Sequence, residues 1–163
     1  MIESTDTVRR RLIARAERLE RHSTAPPPPM NPTRASEAMS EGRRLAKEGE
    51  YARALAALRV AARSPRYAVK ALRYQARIEC TIGQPQKAIA TLKDALHAAE
   101  GDDATSAGLF EEVAALYAHL DELDEARYYQ RRAVKLAPDR PEMRERLASF
   151  GPPPPPRRPR PRP

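Results

Sequence analysis

The 163-residue sequence contains no tryptophan, two phenylalanines and one cysteine, Cys80. A lone cysteine excludes an internal disulfide and any metal site built on several thiolates, leaving a small buried thiol as its simplest role. Long apolar runs are missing as well. No N-terminal stretch reads as a signal peptide and none is long enough to cross a bilayer, so a cytoplasmic protein without a membrane span is expected. Also missing are a phosphate-cradling glycine loop, a nucleophile elbow and a pair of carboxylates placed for acid–base work. His22, His97 and His119 lie far apart, with no partner at metal-ligand spacing. Glu111–Glu112 and Asp121–Asp124 read as solvated helix faces and caps. No catalytic residue, metal or cofactor is therefore expected, and the chain is read as a non-enzyme.

What the chain has is alanine and proline. Hydrophobic residues make up 40% of it, much of that alanine, which suits close helix packing better than a wide core. Most of the 17 prolines fall in two runs, Pro26–Pro29 and Pro152–Pro163. Between them a ladder of small residues recurs. Gly42, Ala54 and Ala61 are followed by Ala76, Ala88 and Ala95, then by Ala114, Ala126 and Ala133, with internal gaps of twelve and seven each time. The second copy lies thirty-four residues after the first and the third thirty-eight after the second. A period of that size means stacked helical hairpins.

The net charge of +8 is unevenly spread. Residues 34–77 hold eleven basic against four acidic residues, 78–125 two against eleven, and 126–150 seven against three. Stacking would turn these blocks into a zoned surface.

The chain divides into four parts. Over residues 1–25, Val8, Leu12, Ala16 and Leu19 form one stripe of an amphipathic helix from Asp6 to His22, opposite an arginine-rich face interleaved with Glu17 and Glu20. That stripe can pack on the repeats or on a second copy, making a homodimer. A membrane-surface helix or a transit peptide is the alternative, weakened by Glu17 and Glu20. Residues 26–34 form a stiff proline-rich linker. Residues 35–150 carry helices near Ala35–Glu48, Tyr51–Arg63, Arg66–Ile82, Gln86–Ala99, Thr105–Leu120 and Leu123–Leu136. Gly49, Gly83 and Asp121 stand in the hairpin turns, and residues 100–103 in a surface loop. A short terminal helix enters through Asp139 and Glu142 as a capping box and ends near Phe150. Residues 151–163 are a low-complexity, disordered tail. Pro153, Pro156 and Arg158 fit a ligand for an SH3-like groove, and the Pro/Arg alternation suits phosphate contacts equally.

The bulky and small positions of these copies resemble the tetratricopeptide repeat. The third copy follows the pattern best, with Phe110, Val113, Ala114, Tyr117, Ala126, Ala133 and Pro138. The second shows Leu72, Ala76, Ala88, Leu92 and Ala95, and the first Gly42, Leu45, Tyr51, Ala54, Leu58 and Ala61. Departures are Ala38, where a large residue is usual, and Glu41, Gln75, Glu79 and Gln130 at nominally apolar places; they predict a loosely packed first repeat. The resemblance, over Ala35 to about Pro138, implies an all-α solenoid of three repeats with an extra helix at each end.

It also implies a groove, lined by the first helix of each repeat, that binds an extended peptide or a helix. Carried over by alignment, that side includes Met39, Arg43 and Lys47, then Lys70, Arg73, Tyr74 and Arg77, then Glu111, Ala115 and His119. Lys70, Arg73 and Arg77 share one helix face and suit a carboxylate or acidic peptide, although a solvated charged face gives the same pattern. Chaperone-binding members of the family use a Lys–Asn clamp, and Met39, Arg43 and Tyr74 stand where its asparagines are needed. The implied function is a scaffold or adaptor for an acidic partner segment. Rival readings are a small secretion-type chaperone dimerising through its N-terminal helix, and a polyanion or nucleic-acid binder using the arginine tail.

Overall fold

The computed structural model describes residues 31–152, so the N-terminal helix and all but the first two residues of the Pro/Arg tail lie outside it. Seven helices follow in order: α1 Pro32–Lys47, α2 Tyr51–Ala62, α3 Ala68–Thr81, α4 Pro85–Ala98, α5 Asp103–His119, α6 Leu123–Leu136 and α7 Pro141–Ser149. Each odd helix pairs with the next to make three hairpins, α2 packs on α3, α4 on α5, and α7 closes the far end against α6. The described chain is thus an all-helical solenoid.

The helix starts follow local chemistry. Asn31 accepts a hydrogen bond from the Thr33 amide at 3.0 Å, and Pro32 sits where a missing N–H costs nothing. These two features start α1 three residues before the expected boundary, so residues 32–34 belong to the helix and not to the linker. Asp102, assigned above to a loop, caps α5: its carboxylate accepts from the Thr105 amide at 3.0 Å and the Thr105 hydroxyl at 2.6 Å. Both bonds hold the Asp102 carboxyl below its ordinary range, the hydroxyl contributing most. The capping box expected at Asp139 does not form, because Arg140 takes the N-cap place with no side-chain bond.

All three hairpin turns close in the same way. The amides of Glu50, Gln84 and Glu122 reach back to the carbonyls of Leu45, Glu79 and Tyr117 at 2.9, 2.8 and 2.9 Å. That bond requires a left-handed residue just before it. Gly49 and Gly83 supply it at φ 80° and 75°, and Asp121 does so at 62° against its own Cβ.

The small-residue ladder is the buried seam. Ala54, Ala61, Ala88, Ala95, Ala114, Ala126 and Ala133 are fully inaccessible, and larger residues such as Leu45, Leu58, Leu92, Leu109 and Val113 fill the space between them. The first hairpin is close-packed, not loose: a Cβ at Gly42 would lie 2.7 Å from Leu58 Cγ. Glu41 is exposed, so it breaks no apolar rule. The other three polar departures, Gln75, Glu79 and Gln130, are buried and belong to the later hairpins. Glu79 accepts from the Thr91 hydroxyl at 2.6 Å and lies 3.8 Å from the Lys87 ammonium. The Gln130 amide donates to the Met143 carbonyl at 2.9 Å, tying α7 to α6. Arg127 donates to the Phe150 carbonyl at 2.6 Å and fastens the end of the same helix.

Candidate functional site

The face formed by α1, α3 and α5 carries two adjoining cavities. The first, about 350 Å³, is lined by Met39, Arg43, Lys70, Arg73, Tyr74 and Arg77. Helical spacing explains the convergence: residues 70, 73, 74 and 77 fall on one side of α3, and residues 39 and 43 face them from α1. The guanidinium carbons of Arg43 and Arg77 lie 5.4 and 5.9 Å from the centre of the Tyr74 ring. Those cation–π contacts hold two exposed charges in place without neutralising them. Six of the ten residues assigned to the groove side therefore come together: Met39, Arg43, Lys70, Arg73, Tyr74 and Arg77.

Ala115 lines the second cavity, and the other three are placed differently. Lys47 borders a shallow pocket with Ser40, Arg43 and Arg44, one turn further along α1. Glu111 pairs with Arg146 of α7 at 3.1 Å. His119 is exposed in the last turn of α5. The alignment also overlooked Glu112. Its carboxylate takes both Nε and Nη2 of Arg73, the former at 3.3 Å, across a sequence separation of 39 residues. Arg73 is thus partnered within the protein. The two glutamates of α5 reach in opposite directions, one to α3 and one to α7. A signal was available, because Glu112 is the third-repeat equivalent of Tyr74, a position already assigned to the groove.

The second cavity, about 480 Å³, lies between α3 and α5 and shares Arg73 and Arg77 with the first. Its remaining walls are Ala76, Cys80, Thr81, Leu92, Glu112, Ala115 and Leu116. Cys80 is half-buried rather than enclosed, and burial, with Glu79 adding to it, pushes its thiol above the ordinary value. The face is therefore cationic at the α1 side and largely apolar at the α5 side, with the Arg73–Glu112 pair between.

A separate cluster occupies the other side of the third hairpin. Tyr129 stacks on Tyr117 at 5.4 Å and lies 6.1 Å from Phe110. Lys93 donates to the Tyr117 hydroxyl at 3.1 Å, which raises its pKa, and Arg132 covers the Phe110 ring at 4.4 Å. Both cations here lie against aromatic rings of the third hairpin. Among the described residues, no group of three or more histidine, cysteine or acidic side chains is placed to hold a metal, and no helix is long and apolar enough to cross a membrane.

No protein-family model matches the sequence, and no curated protein does. Solved structures do match the fold. The first tetratricopeptide repeat domain of Spaghetti (RPAP3), bound to the HSP90 peptide SRMEEVD, superposes with a TM-score of 0.59 at 16% identity, covering 74% of this chain and 93% of that one. PcrH, in complex with the chaperone-binding region of PopD, gives 0.56 at 14% identity, with 75% and 89% covered. The Yersinia enterocolitica type III secretion chaperone SycD, with a peptide of the translocator YopD, gives 0.55 at 19%, with 71% and 87% covered. At these identities the likeness is one of fold: this chain is a tetratricopeptide-type helical solenoid.

Proposed function

We propose that this protein is a non-catalytic interaction module, an adaptor or chaperone, that holds an extended acidic segment of another protein along the α1–α3–α5 face. The first cavity carries the reading: four of its six lining residues are cations, none is acidic, and Tyr74 orients two of the four. Guanidinium groups suit carboxylates because their donors match both oxygens. Each of the three neighbouring structures has a bound peptide or peptide-like region, which supports the same use of the fold. Because the hairpins are preformed, the partner would bear most of the ordering cost.

The test is the affinity of a fluorescent Glu-containing peptide, measured by anisotropy. Reversing Arg43 and Arg77 together to Glu should weaken it at least about tenfold, roughly 1.4 kcal/mol, with helicity unchanged. Equal affinity in that variant refutes the groove assignment. Arg73 is left in place because its reversal would set two carboxylates side by side at Glu112.

The likeness to SycD and PcrH favours a second reading, a secretion-type chaperone. Sedimentation would separate the two: that reading expects a dimer lost on deleting residues 1–25.

A further inference from the structure

The Arg73–Glu112 pair divides the groove into halves of unlike chemistry. Its side chains are 40% and 30% exposed, so the pair is partly in water and contributes little to the fold. Its position matters more than its strength. A partner carboxylate on the α1 side meets Arg43, Lys70 and Arg77 and no protein acid. On the α5 side Arg73 is already taken by Glu112, so Arg77 at the border is the one cation left for it, and most of the remaining wall is Ala76, Leu92, Ala115 and Leu116. An aliphatic side chain has the opposite preference.

The spacing of the halves follows from helix geometry. Neighbouring helices lie about 8–10 Å apart. The cavities are offset along α3 by roughly one turn, about 6 Å. An extended chain advances about 3.3 Å per residue, so the two centres are about three residues apart.

Resting on the reading above, we infer that the groove selects a segment in which an acidic and an aliphatic side chain stand about three residues apart. Glu112 is the residue that sets this specificity, by occupying Arg73 and so leaving a second carboxylate little to bond in the apolar half. The ligand class is therefore a mixed acidic–aliphatic segment, as opposed to a continuous acidic run.

Two fluorescent peptides decide the matter with the full chain. They share one sequence except that the position three residues from a fixed Glu is Leu in one and Glu in the other, and the tighter of the two chain orders is used. The wild type should prefer the Glu/Leu probe by about tenfold, which corresponds to 1.4 kcal/mol. Glu112→Gln, of the same shape, should bring the ratio to about one. Glu145→Gln, an equal charge change on exposed α7, should leave the ratio as it was. Cys80, the only cysteine, supplies an internal probe: the bound Glu/Leu peptide should slow its alkylation by a maleimide.

A ratio that is the same in wild type and Glu112→Gln overturns the inference, as does Cys80 alkylation unaffected by saturating peptide. Either result leaves the groove standing if both probes still respond to the Arg43/Arg77 reversal. Loss of that response removes the groove itself.

Discussion

In the first hairpin the paired helices meet at a glycine. A methyl group at Gly42 would lie 2.7 Å from Leu58 Cγ and 3.3 Å from the Ala54 carbonyl oxygen, and Leu58 is fully buried. In the third hairpin Ala114 stands at the equivalent place, and the bulk comes from Phe110, Tyr117 and Tyr129, with Arg132 and Lys93 laid on their rings. That hairpin has its own mid-helix glycine, Gly108, and a methyl group there would meet nothing within 4 Å. Two glycines inside helices therefore do different things. One is a contact surface between helices, and the other is only a weak point in α5.

The contrast can be broken in stages. Phe110→Ala should cost about 3–5 kcal/mol in denaturant unfolding, because a buried ring leaves a cavity and Arg132 loses the surface it lies on. A loss under about 1 kcal/mol would show the aromatic cluster to be surface decoration. Gly42→Ala and Gly108→Ala should move in opposite directions. Both gain about 1 kcal/mol of helix propensity. Only Gly42→Ala overpacks, at about 1–3 kcal/mol, so it should lower the melting temperature while Gly108→Ala raises it. Stabilisation by both substitutions would refute the close approach at Gly42. The smallest effect belongs to the turns. Asp121→Gly should stabilise by about 0.5 kcal/mol, since relief of left-handed strain is partly offset by a more flexible unfolded chain.

The architecture was legible because the ladder encodes it. Small residues at fixed spacing state which helix faces touch, and Gly49 and Gly83 mark the turns without knowledge of the partner helix. Asp121 was assigned to its turn by register alone, and its backbone adopts the glycine conformation. Helix starts were less legible, because caps depend on which nearby polar group wins: Asn31 and Asp102 do, Asp139 does not. In the candidate site, the cluster around Tyr74 follows from the helical period. The Arg73–Glu112 pair does not, since it joins residues 39 apart and depends on how α5 is rotated against α3. For the same reason Glu111, one residue away and of the same type, turns to Arg146 instead.

A hairpin in such an array offers its open flank as a template for another like it, and unguarded it would invite a fourth repeat or a second molecule. Here α7 occupies that flank on α6, with Met143 fully buried and held from Gln130, and its own end fastened by Arg127. The described residues therefore finish as a bounded object at this end. Replacing Gln130 by an apolar residue would remove the one side-chain bond it gives to α7 and leave Met143 and Arg127 to hold that end closed.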